Sequence, residues 1–294
     1  MIDLKFLKYA LCPFLSACLW GGMYVVSKIG FAEIPPITLA VLRLSLGGGA
    51  LWILLTLQPH RPSVAREDRK SLFLLGFFVA CTLVTQFIGT DIATAHEGAL
   101  LTTTTPIFVV AIAPFLLKER VTVQMVSGAL LGFLGVILVI AGEGSLSGFR
   151  SATSWLGSLL LLASALFWGL FTLFGKPVVR RYSPLVASTY GALSSLPFLL
   201  PLLPWELSIR PILQISAAGI FSILYLGLAS TSLAWYLWYK GLEQLDAGLV
   251  SIFFFIQPLV GGLLSWLILG EEIGMTFILG GIAIALGILL ASGK

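Results

Sequence analysis

Apolar residues in this chain come in unbroken runs, not at alternating positions. Runs such as 159–162 and 253–256 lack the period of two that marks the strands of a membrane barrel. A helix needs about 20 mainly apolar residues to cross the hydrocarbon core. Ten stretches meet that length: 9–29, 36–57, 71–91, 97–117, 123–142, 155–175, 184–203, 213–237, 247–269 and 274–291. The pattern predicts an all-α integral membrane protein with ten transmembrane helices.

The stretches repeat. Ser16, Ala17, Trp20, Gly21 and Lys28 recur as Ser164, Ala165, Trp168, Gly169 and Lys176, each 148 positions later. Gly89, Ala95, Pro106, Leu117, Glu119, Gly128, Leu134 and Gly135 recur 152 positions later as Gly241, Ala247, Pro258, Leu269, Glu271, Gly280, Leu286 and Gly287. The change of offset fits one longer connection in the second copy. The reading is therefore two five-helix repeats, 1–147 and 148–294. Five is odd, so the second copy enters the membrane inverted, an arrangement that lets a carrier exchange inward-open and outward-open states.

Composition agrees. The chain is 58% hydrophobic and only 10% charged, with a mean hydropathy of +1.04, against about 25% charged in soluble domains. With a cytoplasmic N-terminus, thirteen Lys and Arg fall on the inner side, and only Arg150 and Arg210 lie in outer loops. That bias places both termini in the cytoplasm, at the inner membrane, and accounts for the net charge of +4 without any nucleic-acid partner. Lys5 and Lys8 ahead of the first span would also suit a signal peptide, but its relationship to span six argues that it stays. Cys12, Cys18 and Cys81 have no paired spacing and read as packing residues.

The run from Glu97 to Pro106, with Leu117-Lys118-Glu119-Arg120, resembles the EamA-type carriers of the drug/metabolite transporter superfamily. So do Val41-Leu42-Arg43-Leu44 and the second-half counterparts Ala247 through Gln257-Pro258 and Leu269-Gly270-Glu271-Glu272. The resemblance covers about 9–291. It implies a helical carrier with a central pocket between its halves, often an exporter of amino acids or related metabolites.

Pro106 and Pro258 sit mid-span at matching places, where proline leaves the carbonyls of Thr102 and Phe254 without helical partners. Broken backbone at membrane depth is tolerated where it is buried or lines a cavity. These prolines, with Thr105 and Gln257 ahead of them, are read as pocket and gating elements, against the plainer reading of simple kinks. Spacing of four aligns Ser16, Trp20, Tyr24 and Lys28 on one face, and Ser164, Trp168, Thr172 and Lys176 on another. Thr231, Trp235 and Tyr239 make a third stripe. Trp52, Trp155, Trp205 and Tyr239 lie near span ends and suit an interfacial aromatic belt. Trp20 and Trp168 lie mid-span, which leaves pocket lining or interhelical packing. Gln86, with Thr82 and Thr85, needs a partner on another helix, water or a ligand. Arg43 is a charge inside a span, which by default suggests function, but snorkelling outward or pairing with Glu33 or Glu97 is the favoured expectation. The expected substrate-binding set is Trp20, Tyr24, Gln86, Thr102, Thr105, Trp168, Thr172, Thr231, Trp235 and Gln257.

Glu119 and Glu271 precede spans five and ten and read as partners of those helix N-termini. Gly128, Gly132 and Gly135 form a packing face, within the chain or in a homodimer. No span carries an acidic residue at its middle, which weakens the case for a proton-coupled exporter of cations. His60 and His96 both lie near span ends, and no cofactor, metal or nucleophile motif occurs. An intramembrane enzyme acting on a lipid is the competing class. A secondary carrier of small amphipathic metabolites, amino acids first, is the leading one.

Overall fold

The structure, a computed structural model, describes residues 4–59, 64–93, 95–142, 152–212, 214–269 and 274–292. Glu271, Glu272, His60, Arg61, Arg150 and Lys294 fall outside these residues, as do the side chains of Lys5, Lys8, His96 and Glu97. Among the described residues every regular element is helical. Nine apolar helices among the described residues are long enough to cross a bilayer: α1 Tyr9–Phe31, α2 Pro36–Thr56, α3 Arg66–Ile92, α4 Gly98–Leu116, α6 Trp155–Arg181, α7 Pro184–Ile209, α8 Ala217–Leu242, α9 Ala247–Leu264 and α10 Met275–Ser292. The tenth, α5, runs Val123–Gly142; its 20 residues rise about 30 Å, enough to span. Helix α6 runs past the expected end at 175. Pro177 removes one hydrogen bond, while Arg180 and Arg181 sit favourably in its last turn. Helix α8 begins at Ala217 instead of 213, where Ser216 accepts from the Ala218 N–H as an N-cap.

Packing follows the repeat. Gly89 of α3 lies against Leu161 of α6, and its copy Gly241 of α8 lies against Pro13 of α1, the copy of Leu161. Helices α5 and α10 form the self-paired contact, with Gly128 against Gly287 and Gly135 against Gly280. They run antiparallel, as inverted copies must, and so do α2 and α7, where Gly48 meets Leu193 and the start of α2 meets Glu206. The glycine face of α5 is thus filled within the chain. Small residues let helix backbones approach where lipid offers no hydrophobic drive.

Charged groups near the helix ends tie the halves together. Buried Glu206, at the end of α7, accepts from the N–H groups of Ile37 and Thr38 at 2.7 Å each and from the Thr38 hydroxyl at 2.8 Å. It caps the N-terminus of α2, whose free N–H groups favour a carboxylate. Glu206→Gln keeps one acceptor oxygen for three donors. It is expected to lower stability by about 1–3 kcal/mol, read as a lower melting temperature in detergent, with Thr38→Ala costing less. Glu33 plays a similar part at α8, where bonds from the Ser216 N–H and hydroxyl hold its carboxyl below the usual range. It does not pair with Arg43.

Candidate functional site

Helices α4 and α9 are both broken at mid-span. In α4 the helix stops at Thr102 and resumes at Thr105; in α9 a 3-10 turn, Phe253–Phe255, precedes Pro258. The carbonyls freed by the prolines are not left open. The Thr105 hydroxyl donates to the Thr102 carbonyl at 2.8 Å, and the Ile256 N–H at the end of the 3-10 turn reaches the Phe253 and Phe254 carbonyls. The breaks therefore bend the helices and re-aim their side chains, but they do not present bare carbonyls.

Between the breaks the repeat-related tryptophans meet. Trp20 and Trp168 contact edge to face, with ring centroids 5.1 Å apart at 86°. Trp238 and Phe254 pack on Trp20 at 5.3 Å each, and Trp235 packs on Trp168 at 5.6 Å. Such pairs add about 0.5–1.5 kcal/mol each beyond buried area. Against this cluster lies a narrow cavity with room for little more than a water. Trp20, Tyr24, Gln86, Thr102, Thr105, Trp168, Trp235 and Gln257 line it, and Met23, Arg43, Leu83, Ser164, Ala165 and Phe254 complete the wall.

The wall is polar on one side. Tyr24 hydrogen-bonds the Thr102 hydroxyl, and the Gln86 amide donates to the Tyr24 hydroxyl at 3.1 Å. Thr82 and Thr85 bond carbonyls of their own helix and take no part. By the repeat offsets, Tyr24, Gln86 and Thr102 correspond to Thr172, Trp238 and Phe254. The first half therefore supplies a hydrogen-bonding wall where the second supplies mainly aromatic rings, giving an amphipathic cavity.

Two expected residues are displaced from it. Thr172 is fully buried behind Trp238, whose indole donates to its hydroxyl at 3.1 Å. Thr231 lies behind Arg43, accepting from the guanidinium Nε at 2.6 Å and donating to the Leu226 carbonyl at 2.8 Å. The second displacement has a backbone cause. Residues Tyr225–Leu233 of α8 are π-helical, a wide turn frequent at functional sites, which shifts the phase of the Thr231 stripe. The Ser230 carbonyl of that segment accepts from Trp20 Nε1 at 2.8 Å and from Arg43 at 3.4 Å. Arg43 does not snorkel. It is 2% exposed, and among the described residues it makes no salt bridge. Tyr239, expected in the interfacial belt, is fully buried and donates to the Phe171 carbonyl at 3.2 Å.

One end of the bundle is closed by charge. Lys176, 1% exposed, pairs with Glu119 and also donates to the Leu245 carbonyl at 2.7 Å. The second Glu119 oxygen accepts from the Ala247 N–H, the first residue of α9, at 2.9 Å. Glu119 thus caps a helix of the other half instead of α5, so it joins the two repeats. Its repeat copy, Glu271, lies outside the described residues.

A two-fold bundle of membrane helices with a central cavity between inverted halves is the architecture of a carrier. The EamA-like transporter family matches this chain twice, over residues 7–141 and 155–293, and the chain belongs to that family. It is an integral membrane protein and a small-molecule transporter. The uncharacterized transporter YoaV of Bacillus subtilis (strain 168) is 28% identical over 278 residues, 92% of each chain. YetK of the same organism, also an uncharacterized transporter, is 30% identical over 89% of this chain and 82% of its own. A probable amino-acid metabolite efflux pump of Salmonella typhimurium is 28% identical over 93% and 91%. A solved crystal structure shares the fold at a TM-score of 0.78 and 20% identity, covering 97% of this chain and 96% of that one.

Proposed function

We propose that the protein is a secondary carrier exporting small amphipathic metabolites, amino acids first, across the inner membrane by alternating access. The amphipathic cavity between the halves carries this reading: a hydrogen-bonding wall faces an aromatic one where Trp20 and Trp168 meet. The efflux pump among its relatives supports amino-acid export. In this contracted state the rings leave too little room for a metabolite. Substrate entry then requires the halves to part, with the two repeats, 1–147 and 148–294, rocking against each other. Both termini face the cytoplasm in this proposal, on the strength of thirteen inner against two outer Lys and Arg. A homodimer, if formed, uses a face other than the α5 glycines, because α10 covers them.

Flux of a panel of labelled amino acids into proteoliposomes, with and without a pH gradient, tests the reading. At least one amino acid should move, and Trp20→Ala, Gln86→Ala and Trp168→Ala should each cut its rate about tenfold or more while eluting as folded protein. Absence of flux for every amino acid, combined with turnover of a lipid, would replace the carrier with an enzyme.

A further inference from the structure

Most of the buried polar atoms left unbonded among the described residues gather at the cavity. Both polar atoms of Gln257, the indole nitrogens of Trp168 and Trp235, and the Ser164 hydroxyl have no hydrogen-bond partner, and all four side chains line it. Gln257 and Ser164 are 1% exposed. Buried polar groups in native structures are overwhelmingly paired, so a cluster of orphans around one cavity points to a ligand that pairs them.

Arg43 sets the ligand's charge. Its Nε makes one bond of ordinary length, to Thr231, but Nη1 reaches only the Met23 sulfur at 3.3 Å. Nη2 reaches only the carbonyl and hydroxyl of Ser230, at 3.4 and 3.3 Å. A thioether is a weak acceptor, and a guanidinium has five N–H donors. The rings of Phe87 and Trp235 lie 5.7 and 6.0 Å from its centre and supply no counter-charge. A buried charge without a paired opposite charge is strongly disfavoured. The fold itself does not demand this arginine. Helices α2 and α7 begin at Pro36 and Pro184, 148 positions apart, so the repeat copy of Arg43 is Gly191, packed on Phe171.

Resting on the carrier reading above, we infer that Arg43 is the site of a substrate carboxylate, bound in fork geometry and supported by the nearby orphan donors. A carboxylate matches the planar guanidinium bidentately. Among the described residues no Asp or Glu lines the cavity, so a substrate ammonium finds no charged partner among them. The carboxylate is the required group and the α-amino group is dispensable.

The test is binding to the purified protein in detergent, read by thermal shift, since a ligand selective for the folded state raises its melting temperature. The probes are L-leucine and L-phenylalanine, their deamino acids 4-methylpentanoate and 3-phenylpropionate, and their decarboxylated amines 3-methylbutylamine and 2-phenylethylamine. Acids with and without the amino group should stabilise the protein, and the amines should not. Arg43→Gln should weaken acid binding about tenfold or more, and Arg43→Lys less. If Arg43→Gln fails to fold, the wild-type comparison of acids with amines decides alone. Amines binding as tightly as acids would overturn the carboxylate site and leave the carrier reading standing. Silence from all six probes would also overturn it, and the flux panel then shows separately whether the carrier reading falls too.

Discussion

Gly128→Ala should destabilise this protein far more than the same methyl group added at Gly49. A Cβ at Gly128 would lie against the Gly287 carbonyl and the Ala291 backbone nitrogen of α10. Backbone atoms have no rotamer to move into, so the two helices must separate along their contact. Overpacking typically costs about 1–3 kcal/mol, and more where the neighbours cannot yield. Gly280→Ala, the repeat copy, faces the Gly135 carbonyl and Val139 and should cost a similar amount. Gly49→Ala is the control. Nothing lies within 4 Å of its added carbon, and removing glycine from a helix interior gains about 0.5–1 kcal/mol. Melting temperatures in one detergent should fall for the first two and hold or rise for the third. Equal melting temperatures for Gly128→Ala and Gly49→Ala would mean that α5 and α10 do not touch.

The glycine face of α5 was legible in the sequence because it depends on local pattern, but that α10 covers it was not, since spacing alone left packing within the chain or between chains open. The mid-span positions of Trp20, Trp168, Pro106 and Pro258 were legible for the same reason, since depth follows from counting residues. What escaped was set by backbone shape and distant partners. Spacing of four gave Thr231 the wrong face because α8 leaves the 3.6-residue repeat in a π-helical segment. Nothing in the residues from Tyr225 to Leu233 announces that change. Arg43 has a side chain long enough to snorkel, and only the fold shows the Thr231 hydroxyl and Ser230 carbonyl that hold it at depth. Phe254 and Trp238 were hidden differently. They are the aromatic replacements of Thr102 and Gln86 in the second copy, so comparing the copies for differences as well as identities would have found them.

Glu119 shows the same lesson with a larger consequence. Its position before α5 suggests a cap for that helix, yet its carboxylate crosses to Lys176 and Ala247 of the other half. Removing one member of a buried ion pair costs about 3–5 kcal/mol because the other charge stays buried alone. In Glu119→Gln, Lys176 keeps the Leu245 carbonyl and Asp246 at 3.7 Å, and Asp246 is 56% exposed. The expected loss therefore lies toward the lower end of that range. It should fall on the arrangement of this end described here, in which the pair joins the halves. A reporter cysteine at Val250, fully buried in α9, in a background lacking Cys12, Cys18 and Cys81, should react faster with a maleimide in Glu119→Gln than in its parent. Glu119→Gln with Lys176→Met removes the stranded charge, so the melting temperature should recover while fast labelling persists. Recovery of both would make the pair a stability element without a gating role. Unchanged labelling in Glu119→Gln would show that this end opens independently of the pair, and the proposed rocking of the halves would need another latch.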